Sequence, residues 1–201
     1  MTWGAPIRPH TASNDAFVAK LDSSGNLIWN TFLGGLGADY GTDIALDAAG
    51  NIHVVGYSQV SWGTPVAPYN GENDAFVVQL DPSGQLNWST FLGGAGSDWA
   101  TGIAVADGGS VFVTGGGYSA WGAPILPFVG GSDGFLARLA DDGTLTWNTF
   151  VGSSAVDSGT SIAIDAAGAV VLCGYSDSTW GTPIRALAGP PDAFVGKFED
   201  S

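Results

Sequence analysis

Positive charge is what this sequence has least of. Five lysine or arginine residues stand against nineteen aspartate or glutamate residues, which gives a formal net charge of −14. A surface of that sign repels phosphate groups, so we expect neither nucleic-acid binding nor insertion into or attachment to anionic membranes. The charge is compatible with an extracellular setting or with cation binding, and by itself it selects neither.

Cysteine and long apolar runs are also scarce. The single cysteine, Cys173, excludes an internal disulfide, and we expect its thiol to be buried within the apolar run AVVLCGY. No apolar run approaches the ~20 residues of a membrane span, and MTWGAPIRPH at the N-terminus has no apolar signal core. We therefore expect that a secreted parent protein would carry its signal peptide outside this chain.

Catalytic motifs are missing too. The two histidines, His10 and His53, do not repeat, and without a cysteine pair they predict no zinc site. There is no G-x-S-x-G elbow, and the GG-x-G strings lie between predicted strands without the helix that a phosphate cradle needs. The sequence therefore predicts no catalytic residues and no enzyme, with a hydrolase as the least favoured function.

What the chain does contain is glycine and apolar residues. Hydrophobic residues make up 45% of the 201 positions, which indicates a folded domain rather than a disordered chain. The 32 glycines do not follow a collagen period but cluster between apolar runs, where turns are expected. We predict a single domain over residues 1–201.

Those features recur with a fixed period. Runs of the DAFVAKLD type begin at Asp15, Asp74, Asp133 and Asp192, each 59 residues after the one before. The Trp-Gly pairs and the WNTF-like runs keep the same step. The sequence thus divides into a partial repeat 1–14, three repeats 15–73, 74–132 and 133–191, and a partial repeat 192–201.

Each period predicts four strands. In the first copy they are 15–21, 27–33, 42–47 and 51–57, rich in Val, Ile, Phe, Trp and Thr. The links 22–26 and 47–51 begin with Asp and contain Gly, which indicates tight hairpin turns. No segment shows a sustained helical period. The chain is predicted to be all-β, with thirteen antiparallel strands.

Four strands per period is typical of a β-propeller blade. The small residue at the centre of Ile44-Ala45-Leu46 suits the crowded inner strand of a blade. The bulky Trp29 and Phe32 suit the outer part, and we expect Trp29, Trp88 and Trp147 to be core residues. The loop 58–73 would then connect the second strand of a blade to the third.

The segment DAFVAKLDSSGNLIWNTFLGGLGADYGTDIALDAAGNIHVVGYS resembles the bacterial β-propeller repeat family called SBBP. The likeness extends over essentially the whole chain, because motif order and spacing recur three times. The resemblance implies a propeller fold in a bacterial extracellular or cell-surface protein. It implies no catalytic residue. Such propellers have more than three blades.

Two rows of aspartates keep the period. Asp39, Asp98 and Asp157 lie in glycine-rich loops and either brace those loops or bind a cation such as calcium, although one carboxylate per loop is few for an ion that takes ~6–8 oxygens. The aspartates that open the DAFV strands are expected to bond the backbone of the preceding loop. No other cofactor is predicted.

The Trp-Gly-x-Pro loops form the second candidate site. They contain Trp3, Trp62, Trp121 and Trp180. A loop tryptophan either packs its own loop onto the blade or stacks on a sugar face, and the amphipathic indole serves both roles. We favour packing, and keep glycan binding by these four residues as the alternative.

The sequence therefore predicts a non-catalytic structural or interaction module, with a carbohydrate-binding lectin as the alternative. Three blades would leave apolar faces uncovered, so we expect either a homo-oligomer or further repeats of a parent chain. The favoured homo-oligomer is a dimer that closes a six-bladed ring. Strands 15–21 and 192–198 have the same phase and would compete for one place at each junction.

Overall fold

The computed structural model describes residues 4–199 and contains thirteen β-strands and, within those residues, no helix. The all-β prediction and the predicted number of strands are both confirmed. The described part of the chain accordingly has no helix long and apolar enough to cross a membrane. In chain order the strands are β1 Ala16–Leu21, β2 Leu27–Leu33, β3 Asp39–Leu46, β4 Ile52–Ser58, β5 Asp74–Leu80, β6 Leu86–Leu92, β7 Asp98–Val105, β8 Val111–Gly117, β9 Asp133–Leu139, β10 Leu145–Val151, β11 Asp157–Ile164, β12 Val170–Ser176 and β13 Asp192–Phe198.

The predicted hairpin turns form as their Asp and Gly residues require. The carboxylate of Asp22 accepts hydrogen bonds from the backbone amides of Ser24 and Asn26, both at 2.8 Å. Gly25 follows with φ of 82°, a left-handed conformation that a residue with a Cβ adopts only with strain. These bonds, the one from the Asn26 side chain first, lower the pKa of Asp22 below its ordinary value. Local sequence alone thus determines where β1 turns into β2.

The thirteen strands form four antiparallel sheets. Two are complete four-stranded blades, β3-β4-β5-β6 (the first blade) and β7-β8-β9-β10 (the second blade). The chain ends are partial: β1 and β2 make the N-terminal pair, and β11-β12-β13 make the C-terminal sheet. A blade therefore begins at the third strand of a sequence repeat, and each repeat contributes strands to two sheets.

Neighbouring sheets are joined at their first strands. The Thr42 hydroxyl on β3 donates to the carbonyl of Ala100 on β7 at 2.7 Å. One period later Thr101 on β7 donates to Gly159 on β11 at 2.8 Å. These sideways contacts place the strands with small central residues next to one another, as expected for the inner strands around a propeller axis.

Three apolar layers lie between the four sheets. The layer between the N-terminal pair and the first blade contains Phe76 and Val18. The layer between the two blades contains Val77 and Phe135, and the third layer contains Phe112 and Phe194. Alternate residues of a strand face opposite sides of its sheet, so each blade contributes to two layers.

The outer-strand tryptophans lie at the margin of these layers rather than inside them. Trp29, Trp88 and Trp147 are half-buried and pack against the three layers in turn. The indole N–H of Trp88 donates to the carbonyl of Asp141, in a turn of the next blade, at 2.8 Å. A Cβ on Gly143 would lie 2.7 Å from the Trp88 ring, so this turn needs glycine for the ring to rest on it.

The two outermost faces have no covering sheet. Phe17 on β1 is 61% exposed and Val195 on β13 is 74% exposed, whereas their counterparts Phe76 and Val77 are fully buried. The expectation that the Cys173 thiol is buried is wrong for the same reason, since Cys173 is only half-buried on the uncovered face of β12. A run of apolar residues predicted a core position, but burial there depends on a following sheet.

Candidate functional site

The Trp-Gly loop lies over the outer half of its blade, where the third and fourth strands meet. Trp62 is 5% exposed, and its ring meets those of Phe76 on β5 and Phe91 on β6 edge to face, with centroids 5.7 and 5.9 Å apart. Such contacts stabilise by about 0.5–1.5 kcal/mol each beyond the area they bury. Trp3, the first of the four predicted residues, lies outside the described residues.

The second blade repeats this arrangement. Trp121 is 7% exposed and packs edge to face on Phe135 and Phe150, at 5.2 and 5.8 Å. The side-chain amide of Asn148 on β10 donates to the Trp121 carbonyl at 2.9 Å. These contacts support the packing interpretation of Trp62 and Trp121. Glycan binding by these residues stays a prediction, and it would require the loops to open.

The loop that follows each tryptophan also holds the outer strand by its backbone. The amide of Val66 donates to the carbonyl of Ser89 at 2.8 Å, and the amide of Phe91 donates to the carbonyl of Ala67 at 3.2 Å. The same pair of bonds joins 125–126 to β10 and 7–8 to β2. Each of these outer strands is thus held between the third strand and the Trp-Gly loop, which we call the clasp.

Within residues 4–199, the C-terminal sheet has a clasp but no outer strand. Trp180 is half-buried and meets one aromatic ring, that of Phe194 at 5.2 Å. A cavity of about 630 Å³ lies between β13 and clasp residues 179–188. Ile184 in this clasp is fully exposed. The place that β2, β6 and β10 occupy elsewhere is open here, and we call it the terminal groove.

Sequence reasoning did not single out this groove as a site. The signal was present in the sequence, because the last copy of the period stops before a fourth WNTF-like run. Strand β13 has the phase of β1, and the sequence predicted that the two would compete for one place at each junction. In the structure β13 pairs with β12 over its whole length, from Val170 opposite Phe198 to Ser176 opposite Asp192, and its other edge is free of strands within residues 4–199.

The predicted cation residues begin the inner strands and bond their own loops. The carboxylate of Asp39 accepts the amide of Gly35 at 2.9 Å, and that of Asp98 accepts the amide of Gly94 at 2.9 Å. Asp157 accepts the amide of Ser153 at 2.7 Å. All three are almost fully buried. These bonds support the loop-bracing interpretation of the row.

One member of this row differs from the others. The Ser58 hydroxyl donates to Asp39, and the Ser176 hydroxyl donates to Asp157. At the corresponding position the second blade has Gly117, and Oδ1 of Asp98 has no hydrogen-bond partner among the described residues. Burial raises the pKa of Asp98 to about 7. The hydroxyl donor that is present in the first blade and in the C-terminal sheet is therefore missing in the second blade.

The three aspartates belong to three different sheets. Residues 4–199 contain no group of three or more His, Cys, Asp or Glu side chains placed to hold a metal. The nearest carboxylate to each is in the row that opens the DAFV strands: a Cβ on Gly93 would lie 2.7 Å from Asp74 and 3.0 Å from Asp98. Calcium binding by the row stays a prediction.

The DAFV-strand aspartates bond the preceding loop, as expected from their position. The amide of Thr11 donates to Asp15 at 2.8 Å, and the amide of Asn70 donates to Asp74 at 2.6 Å. The later copies Asp133 and Asp192 accept the amides of residues 129 and 188 in the same way. This row therefore fixes the end of each clasp loop.

Exposed aromatic pairs form a feature that sequence reasoning did not find. Tyr40 stacks on Tyr57 with ring centroids 4.9 Å apart, and Trp99 meets Tyr118 at 5.4 Å. The third copy has Ser158 at the position of Tyr40 and Trp99. The partner ring changes position between copies, so a search at the fixed period of 59 residues could not reveal the pairs.

The comparisons with known proteins agree with this geometry. Residues 28–61 match the family model described as SBBP, Beta-propeller repeat. The chain carries a repeat of that family. Those residues run from the outer strand of one sheet through the inner hairpin of the next and into the clasp, so the match covers the connection from sheet to sheet. The SBBP resemblance stated from the motifs is confirmed.

One curated relative is Regulatory protein FlaEY of Caulobacter vibrioides. It is 27% identical over 147 residues, which is 70% of this chain and 15% of that protein. The chain thus spans about a seventh of the length of this relative. The regulatory role in the name is that protein's own.

Proposed function

We propose that this SBBP segment is a non-catalytic interaction module of a bacterial surface or secreted protein, completed by further blades. The observation that carries the proposal is the contrast between inner and outer faces. Phe17 and Val195 are mostly exposed, although the same positions in the two complete blades, Phe76, Val77, Phe135 and Leu136, are fully buried. A face built to be covered indicates a partner.

The physical cost of leaving these faces bare supports the same conclusion. Exposed apolar residues on the N-terminal pair and the C-terminal sheet include Phe17, Leu21, Ile28, Val195 and Ile184. Contiguous apolar patches above a few hundred Å² are rare on monomers and mark contact surfaces. Unpaired strand edges add backbone groups that can bind another chain.

The partner we favour is a second copy of the chain. Propellers have about four to eight blades. Each copy supplies two complete blades, and the N-terminal pair of one copy can combine with the C-terminal sheet of the other, which makes six sheets around a twofold axis. Further repeats of a longer parent chain would cover the same faces, and are the alternative.

Light scattering of the purified chain at micromolar concentration tests this proposal. We expect a mass of twice 20.4 kDa, and a shift towards the monomer when Val195→Lys places a charge on the uncovered face. Val77→Lys is not a suitable control, because that position is buried within one chain. Lys20→Glu, on an exposed polar position, should leave the mass unchanged. A stable monomer that binds no apolar dye would contradict self-assembly.

The surface location and the absence of catalysis are part of the proposal. The acidic composition and the SBBP repeat support an extracellular setting. The buried aspartates support a non-catalytic chain, because their oxygens are directed to loop amides rather than to an accessible cleft. Fractionation of the source cells tests the location, and a panel of glycosidase and esterase substrates tests for activity.

Glycan binding is the second candidate function. The aromatic pairs at the surface favour a glycan site there rather than at the Trp-Gly loops. The Trp99–Tyr118 pair offers rings to solvent, Tyr118 being 57% exposed, whereas Trp62 and Trp121 are covered. A glycan array with the wild-type chain and Trp99→Ala tests it. Binding that is lost in Trp99→Ala and kept in Tyr175→Ala would support a lectin, because Tyr175 is a 39% exposed tyrosine of the C-terminal sheet at the position of Tyr57.

A further inference from the structure

The terminal groove has the shape and chemistry of a β-strand receptor. We propose that it receives β2, Leu27–Leu33, of a second copy of this chain as an added antiparallel strand beside β13. The inference rests on the proposed self-assembly and names the strand that is exchanged. It assigns a binding role to Trp180, Ile184, Arg185 and Phe194.

The groove corresponds to a slot that is filled in every other copy. In the first blade, Phe76 of β5 lies opposite Phe91 of β6, and Val77 lies opposite Thr90. The N-terminal pair has the same register, with Val18 opposite Thr31. The strand β13 has the sequence of these third strands, with Phe194 and Val195 in the two positions. An incoming β2 would therefore place Phe32 opposite Phe194 and Thr31 opposite Val195.

The clasp presents the backbone groups that an incoming strand needs. In the filled slots the amide of Val66 and both the amide and carbonyl of Ala67 bond the outer strand, at 2.8 to 3.2 Å. The corresponding groups belong to Ile184 and Arg185, which have no such bonds within residues 4–199. Their donors and acceptor are thus available in the arrangement that holds β2, β6 and β10.

The groove also lacks one aromatic ring. Trp62 and Trp121 each meet two phenylalanines, one from the third strand and one from the outer strand. Among the aromatic rings of residues 4–199, Trp180 meets that of the third-strand residue Phe194 alone. The outer-strand ring of β2, Phe32, would supply the missing contact.

Of the three outer strands β2, β6 and β10, β2 can leave its own sheet with the smallest loss of strand pairing. β6 and β10 belong to four-stranded blades, whereas β2 pairs with β1 alone. Two-stranded sheets are marginally stable by themselves. β13 and β1 compete for the place beside β2, and β13 is held more firmly in its own sheet. It pairs with β12 along its length, and its Phe194 and Phe198 pack in the third apolar layer.

The exchange would also cover the bare face of the C-terminal sheet. β2 leads through residues 34–38 into β3, so a copy that inserts β2 brings its first blade with it. The residues of β1 that pack on this blade include Ala16 and Val18, both 5% exposed. Val195 would take the place of Val18, and its exposed side chain would become buried.

A peptide tests the groove directly. Labelled NLIWNTFLG, residues 26–34, should raise its fluorescence anisotropy on binding to the full chain at a dilution where the chain is monomeric and its groove is open. We expect binding to weaken at least tenfold for the Phe32→Asp peptide, and at least tenfold for the protein variant Trp180→Ala. Circular dichroism should show that this variant is folded. Equal binding of the two peptides would overturn the groove as a receptor for this strand.

Disulfide trapping tests the second copy as the source. In a Cys173→Ala background, Thr31→Cys with Val195→Cys should give a covalent dimer on a non-reducing gel, because directly opposite residues have Cβ atoms close enough for a disulfide. The matched control, Thr31→Cys with Gly196→Cys, is one residue out of register and keeps Phe32. We expect at least fivefold less dimer from it.

The outcomes separate this inference from the proposed function. A dimeric mass without the 31–195 cross-link would overturn the strand exchange and leave self-assembly standing. A cross-link between Val18→Cys and the native Cys173 would also overturn it, because Cys173 lies opposite Val195 and β1 would then have replaced β13. Peptide binding by a chain that stays monomeric at micromolar concentration would overturn the second copy as the source of the added strand.

Discussion

The second blade and the C-terminal sheet are built from the same repeat and experience opposite surroundings. Phe135 and Leu136 on β9 are fully buried, between sheets on both sides. At the same positions on β13, Phe194 is half-buried and Val195 is 74% exposed. In repeat proteins stability is approximately a sum of unit and neighbour contributions. The difference in burial between these sheets predicts that neighbouring strands and sheets contribute a large share of the stability.

The buried carboxylates of the two sheets differ in the opposite direction, because the one in the C-terminal sheet has more hydrogen-bond donors. Asp157, in the C-terminal sheet, accepts bonds from the Ser153 amide and hydroxyl and from the Ser176 hydroxyl. Asp98, in the second blade, accepts only the Gly94 amide among the described residues, and it has a raised pKa. The better-packed sheet therefore contains the less satisfied carboxylate.

The largest expected contrast is between two phenylalanines. Phe135→Ala removes a fully buried ring and should lower the free energy of unfolding by about 3–5 kcal/mol. Phe194→Ala, in the half-covered sheet, should cost less than about half of that. Urea unfolding at a concentration where the chain is monomeric measures both. Equal losses would show that the C-terminal sheet is as well packed as the second blade.

The clasp tryptophans should show a smaller contrast of the same kind. Trp121→Ala loses two aromatic contacts and should cost about 3 kcal/mol, which lowers Tm by several degrees because ~1 kcal/mol corresponds to ~2–4 °C at this size. Trp180→Ala loses one contact and should lower Tm by no more than half as much. An unchanged Tm for Trp121→Ala, together with lost glycan binding, would mean that Trp121 serves a ligand rather than its loop.

The unsatisfied carboxylate predicts a pH dependence. Unfolded Asp98 loses its proton near 3.8, while the folded protein keeps it up to about 7. Asp98 therefore contributes stability that is present below pH 4 and is lost as pH rises towards 7, with a slope of up to about 1.4 kcal/mol per pH unit. Urea unfolding at pH 4, 5.5 and 7 measures how the free energy of unfolding changes with pH. Asp98→Asn should remove the part of this pH dependence that Asp98 causes.

Asp157→Asn is the matched control for that slope. The three donors on Asp157 require an acceptor at both carboxylate oxygens, so an amide NH₂ there would face a donor. This variant should be less stable at every pH. Burial also raises the pKa of Asp39, Asp74 and Asp133, so a smaller slope of the same sign should remain in Asp98→Asn. An unchanged slope in Asp98→Asn would contradict the assignment.

Local patterns in the sequence were sufficient for most of the fold. The turn at Asp22–Asn26, the thirteen strands and the inner position of Ile44–Leu46 all depend on residues near one another in the chain, and the structure confirms them. The inner strand is longer than predicted, because β3 begins at Asp39 and contains a bulge between Gly41 and Asp43.

Features that depend on neighbouring sheets were not predictable in the same way. Burial of Cys173 was expected from the run around it, but the thiol lies on a face that no sheet covers within residues 4–199. Burial between sheets raises the pKa of Asp98, and the serine that bonds its counterparts is replaced by Gly117, which lies nineteen positions away on another strand. The packing of Trp62 was one of two alternatives, because a loop sequence does not show which ring it will meet.

The smallest expected effect concerns Cys173 itself. Its counterparts Val55 and Thr114 are fully buried between sheets, so the thiol probes whether the outer face of the C-terminal sheet is covered. A maleimide should label the dilute native chain within minutes, and labelling should slow at least fivefold when the chain is concentrated enough to assemble. Thr114→Cys in a Cys173→Ala background is the matched control, and it should resist labelling at both concentrations. Cys173→Ala should change the free energy of unfolding by less than about 1 kcal/mol, because a half-exposed side chain loses little contact on truncation. Labelling of Cys173 that is equally fast at all concentrations would mean that assembly leaves this face open, and the six-sheet ring would then be wrong.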